Sequence, residues 1–113
     1  MLRKPLVQGA MALLALATFA APTASPRAQP QTITVRIANF TFSPKTLTVN
    51  AGARVVWVND DDVPHTVVAT DGSFRSKPLD TGDSFAVVFD RPGEHGYFCS
   101  IHPMMTGKVL VKG

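Results

Sequence analysis

The sequence predicts an all-β domain, a sandwich or barrel of about seven or eight short strands, behind an N-terminal signal peptide. Three observations carry this. Past residue 30, β-branched residues alternate with polar ones at period two, and no stretch keeps helical spacing. Clusters of Gly, Pro, Asn and Asp break the pattern about every 8 to 12 residues. At the start, Arg3 and Lys4 precede an Ala/Leu-rich apolar run over residues 6–21 and a Pro/Ala/Ser-rich stretch over residues 22–30. That is the order of a secretory signal, and the apolar run is short for a membrane span.

We place the signal over residues 1–28 and one domain over residues 29–113, with Gln29 as the expected mature start. The signal takes with it Arg3, Lys4 and Arg27 and no acid, so Lys plus Arg falls from 11 to 8, equal to the 8 Asp plus Glu. The formal +3 of the full chain therefore does not belong to the domain, and nucleic-acid binding loses its main support. An exported domain of roughly 85 residues is small for a single core and often leans on disulfides or a metal. With one cysteine an internal disulfide is impossible. A free thiol in an oxidising compartment is a liability, which metal ligation removes while adding stability.

The elements follow in order. Ile33, Val35 and Ile37 alternate with Thr34 and Arg36 as a half-buried strand, and Phe40 and Phe42 continue the alternation until Ser43-Pro44 breaks it. Residues 45–49 form a second strand closed by the Asn50-Ala51-Gly52 turn. Residues 54–59 form a third, apolar on both faces and so central. Asp60-Asp61-Asp62 makes a polar tip, read as a solvated turn. Residues 64–68 re-enter extended structure, and residues 70–82 are loop. Residues 84–89 alternate Phe85, Val87 and Phe89, and the Asp90-Arg91-Pro92-Gly93 turn leads to final strands at 94–99 and 108–112. Phe40, Phe42, Trp57, Phe85, Phe89 and Tyr97 sit at strand spacing and are assigned to the core.

The chemistry is concentrated between those last two strands. Within seven residues, Cys99, His102, Met104 and Met105 offer a thiolate, an imidazole and two thioethers. Two imidazoles and a thiolate with a weak axial thioether make a blue-copper electron-transfer site. The second imidazole must come from His65 or His95, since the chain has three histidines.

The pattern Phe42-Ser43-Pro44, Leu47, Val49, Gly52, Val56-Trp57-Val58, Asn59, Asp61, Pro64-His65 and Pro92-Gly93, ending in Tyr97-Phe98-Cys99-Ser100-Ile101-His102-Pro103-Met104-Met105-Thr106-Gly107, resembles the cupredoxins. The short Cys-x-x-His-x-x-Met loop is most similar to the amicyanins within the plastocyanin-like group. The resemblance spans the mature chain and implies a Greek-key β-sandwich. It further implies one type 1 copper held by His65, Cys99, His102 and Met105, with Met104 on the surface rim. Two positions depart from it. Thr66 stands where Asn commonly ties the first-ligand loop to the Cys loop, and its hydroxyl is expected to reach toward Ser100. His95 stands where an inward aromatic is common, and is expected to have no role at the metal.

The expectation is a monomeric, periplasmic electron carrier cycling Cu(I)/Cu(II), not an enzyme, with no stable membrane association after cleavage. Transient redox partners would dock near His102, Pro103 and Met104; by the resemblance these are an amine dehydrogenase and a c-type cytochrome. The alternative is a periplasmic copper chaperone or storage protein, which would favour exposed, labile sulfur ligands. A Cys/His hydrolase has no use for the methionines, thioether ligation argues against zinc, and one spare histidine cannot build the second copper site of a nitrite reductase.

Overall fold

The structure, a computed structural model, describes residues 30–113. The expected signal over residues 1–28 and its boundary at Gln29 lie outside the described residues. Alternating apolar residues form eight strands among the described residues: β1 (Thr32–Ala38), β2 (Thr41–Ser43), β3 (Thr46–Asn50), β4 (Ala53–Asn59), β5 (Val68–Ala69), β6 (Ser84–Phe89), β7 (Gly93–Phe98) and β8 (Thr106–Lys112). They make two four-stranded sheets, in the orders β2-β1-β4-β6 and β3-β8-β7-β5. Both are mixed, with β1 parallel to β4 and β3 parallel to β8.

One core lies between the sheets. Val35, Ile37 and Trp57 from the first meet Val49, Tyr97 and Val109 from the second. Burying each of the aliphatic side chains contributes roughly 1.5–3 kcal/mol. Trp57 is the hub, with ring centroids 5.1 Å from Tyr97 and 6.0 Å from Phe74. Strand β4 is interior to its sheet, between β1 and β6; Ala53, Val55, Trp57 and Asn59 turn into the core, while the opposite face carries exposed Arg54 and half-buried Val56 and Val58.

Two expectations need correction. The extended segment at 64–68 yields strand only at Val68–Ala69, because its other backbone groups pair with the following loop. His65 and Leu79 exchange both N–H···O bonds at 3.1 and 2.7 Å, and the Ser76 N–H donates to the Val67 carbonyl at 2.8 Å. Phe40 is not core. Ala38 pairs with Thr41, so Asn39 and Phe40 are the two-residue turn of the β1–β2 hairpin, at φ 52° and 57°. Such a turn needs positive φ at both central residues, where Gly is favoured and a bulky residue costs on the order of 1–3 kcal/mol. The turn breaks the alternation, leaving Phe40 51% exposed while Phe42 is buried.

Candidate metal centre

The last two strands aim Cys99 inward. Phe98 pairs with Thr106, and the alternation that buries Tyr97 also buries Cys99, which is 0% exposed. Beyond that pair the Cys99 N–H donates to the Met105 carbonyl at 3.0 Å, and the Met105 N–H donates to the His102 carbonyl at 2.8 Å. Residues 99–105 thus close into a compact loop with Met105 buried and Met104 95% exposed. Gly107 faces Tyr97 across the ladder, where a Cβ would fall 2.3 Å from the phenol ring. Only glycine lets that ring lie across β8 and hold the root of the loop.

The other imidazole comes from the segment after β4. Buried Asn59 organises that segment: its Nδ2 donates to the carbonyls of Val63 at 2.9 Å and Leu79 at 2.8 Å, and its Oδ1 accepts from the Asp61 N–H at 2.9 Å. With the His65–Leu79 bridge, this fixes a fully buried His65. Thr66 ties this segment to the Cys99 loop as expected. Its hydroxyl accepts from the Ser100 N–H at 2.7 Å and lies 2.8 Å from the Ser100 hydroxyl.

Three donors converge. The Nδ1 atoms of His65 and His102 each lie 3.8 Å from the Cys99 Sγ, and the donor atoms of all three residues fall within 4.8 Å of one another. Burial alone would raise the Cys99 thiol. The Thr66 N–H, which donates to Sγ at 3.4 Å, and the flanking imidazoles outweigh it and bring the thiol down to about 6. The cluster therefore presents a thiolate at neutral pH, the form that ligates metal. On the far side of His65, Nε2 lies 2.8 Å from an Asp61 carboxylate oxygen. Burial raises that carboxyl, and hydrogen bonds from the Phe40 N–H, His65 and the Asn39 N–H overcome it to hold it below its ordinary value. An ionised Asp61 accepts from Nε2–H, which turns Nδ1 toward the Cys99 sulfur.

Of the residues singled out in the sequence, His65, Cys99 and His102 are brought together, and Met105 packs at the base of their loop. His95 is elsewhere: its ring nitrogen meets the Arg91 carbonyl at 2.9 Å and it packs on Phe89. Tyr97 is core, its phenol pushed up to about 12 by burial. Two residues of the site were not anticipated. Asp61 was assigned to a solvated tip, yet its side chain is only 12% exposed and engages His65. Phe40 was assigned to the core, yet its ring stands perpendicular to both imidazoles. A soft thiolate, two imidazoles and a nearby thioether fit copper.

Comparison with known proteins agrees with this geometry. A profile described as Cupredoxin-like domain matches residues 9–111. The chain is 31% identical to the amicyanin of Paracoccus versutus over 96 residues, covering 80% of this chain and 73% of that protein. A purple cupredoxin from Nitrosopumilus maritimus superposes with a TM-score of 0.67 at 36% identity, over 71% of this chain and 99% of that one. A Cu-containing nitrite reductase from Thermus scotoductus superposes with a TM-score of 0.69 at 31% identity, but this chain covers 23% of it. The chain belongs to the cupredoxin-like domain family, and one copper ion is the cofactor that its donors are arranged to take.

Proposed function

We propose that this chain is a small blue-copper electron carrier of the periplasm, with His65, Cys99, His102 and Met105 as the ligands of one copper. The observation that carries this reading is the buried Cys99 sulfur set 3.8 Å from the Nδ1 of each of two imidazoles. Bound there, copper supplies a one-electron Cu(I)/Cu(II) couple. The protein keeps the donors in one arrangement: the Thr66 N–H donates to the Cys99 sulfur, Asp61 orients the His65 ring, and the Met105 backbone closes the loop. Full burial of Cys99 weighs against a chaperone or storage role, which calls for accessible sulfur.

His102 is the half-buried ligand and opens onto an apolar face. Among the described residues the large exposed hydrophobics are Phe40, Val88, Ile101 and Met104. Three of the four, with Pro103, line the cleft at His102. A small apolar patch at one ligand suits the brief docking of redox partners. By likeness to the amicyanins we assign an amine dehydrogenase as donor and a c-type cytochrome as acceptor. The carrier reading, in preference to a reductase, is supported by the ring of His95, which meets the Arg91 carbonyl away from the His65, Cys99 and His102 cluster. Export is supported by the signal pattern. No helix among the described residues is long and apolar enough to cross a membrane.

Voltammetry of the copper-loaded protein tests the reading. A reversible one-electron wave, with copper retained in both states, is expected. Loss of copper on reduction, or no reversible wave, would return the assignment to copper handling.

A further inference from the structure

The Asp61 carboxylate receives three donors. One oxygen accepts from the Asn39 N–H at 2.6 Å; the other accepts from the Phe40 N–H at 2.9 Å and meets His65 Nε2 at 2.8 Å. The first two donors belong to the β1–β2 turn, where two successive non-glycine residues hold left-handed backbone. A glycine at the second position would make this turn without strain. The chain instead places a large aromatic there, half in solvent, with no core to reward it. Strain kept at such a site points to what the side chain does.

What Phe40 does is meet both imidazoles. Its ring centroid is 5.3 Å from that of His65 and 4.9 Å from that of His102, at 89° and 85°, the edge-to-face geometry that aromatic pairs favour. His65 is already fixed by its buried bridge and by Asp61. His102 is not: the one hydrogen-bond contact its ring makes among the described residues is from Nδ1 to Cys99 Sγ. Its orientation depends on packing, and Phe40, with ring centroids 4.9 Å apart, is its nearest aromatic neighbour.

We propose that Asp61 and Phe40 act as one positioning unit, in which a single carboxylate orients His65 directly and orients His102 through the turn that presents Phe40. This rests on the reading of His65 and His102 as copper ligands. The unit makes the site specific about ring geometry on its exposed side, where the second imidazole would otherwise swing.

The test compares Phe40→Leu, Phe40→Tyr, Asp61→Asn and the double variant Phe40→Leu/Asp61→Asn with the parent, reading the rate of Cu(I) transfer to a competing chelator. Loss of one aromatic contact should speed release about 2- to 10-fold in Phe40→Leu, and Phe40→Tyr should restore the parent rate. Loss of the outer-sphere carboxylate should speed release about 10- to 100-fold in Asp61→Asn. In the double variant release should be no faster than in Asp61→Asn alone, because without the latch Phe40 is no longer presented. Factors that multiply, or a Phe40→Leu variant that matches the parent, would overturn the unit.

A second readout needs no copper. In the metal-free protein, NMR cross-peaks between the Phe40 and His102 rings should be present in the parent and absent in Asp61→Asn; their persistence there would refute the coupling. A parent that holds no Cu(I) would instead refute the carrier reading and leave this readout to decide the unit. Should Asp61→Asn fail to fold, Phe40→Leu and Phe40→Tyr, altered at an exposed position, still decide whether Phe40 holds His102.

Discussion

Replacing Thr66 by valine would separate the two ways this residue serves the site. The side chain keeps its shape and loses the hydroxyl, which accepts from the Ser100 N–H at 2.7 Å and adjoins the Ser100 hydroxyl at 2.8 Å. Two net hydrogen bonds are worth about 0.5–1.5 kcal/mol each, so a destabilisation of about 1–3 kcal/mol is expected. For a domain this size each kcal/mol lowers Tm by about 4–8 °C. The backbone N–H that donates to Cys99 Sγ at 3.4 Å remains, so the thiol should still titrate near about 6. The assay is thermal unfolding of the metal-free protein beside ultraviolet titration of the thiolate, with Thr66→Ser as the variant that keeps the hydroxyl. A Thr66→Val protein as stable as the parent would refute the tie between the two loops. A thiol returned toward its ordinary value of 9.0 would show that the hydroxyl, at 3.7 Å from Sγ, and not the backbone, governs the sulfur.

Other perturbations follow from the same geometry. The Cys99 thiol titrates near about 6 in the folded protein against an ordinary 9.0, so the folded state favours the thiolate. Its contribution is complete above the unfolded value and is lost as pH falls toward 6. Urea unfolding of the metal-free protein should thus show stability rising between pH 6 and 9, with a flatter profile in Cys99→Ser; identical profiles would contradict the assignment. Gly107→Ala should destabilise by about 1–3 kcal/mol through overpacking against Tyr97, seen as a lower urea midpoint. Met104→Lys, at a side chain 95% exposed, should leave stability within about 0.5 kcal/mol. Stopped-flow mixing with a cytochrome c partner should nevertheless show slower electron exchange in that variant.

Strand alternation and the ligand loop were legible because each depends on short-range order. Ile33, Val35 and Ile37 face one way by parity alone, and the burial of Tyr97 and Cys99 extends the same rule into the loop. Thr66 was legible as a departure whose hydroxyl could still bond toward Ser100, which it does. Phe40 was misread because a two-residue turn resets the parity, and the pattern of Phe40 and Phe42 looks the same on either side of it. The sequence clue was Asn39, the residue type that tolerates left-handed backbone. Asp61 was hidden in a run of three acids. Its neighbours Asp60 and Asp62 are exposed, and Asp60 pairs with Arg36 at the surface. What separates Asp61 is the buried His65 four residues on and a turn 21 residues before it, a long-range meeting that no local pattern records.

Optical and EPR spectra of the protein with one equivalent of Cu(II), beside Cys99→Ser, Met105→Leu and Met104→Leu, test the copper centre most directly. An intense thiolate-to-copper band with narrow copper hyperfine splitting is predicted, absent in Cys99→Ser, shifted in Met105→Leu and unchanged in Met104→Leu. A colourless protein with an ordinary tetragonal copper signal, or a Met104→Leu variant that shifts while Met105→Leu does not, would contradict it.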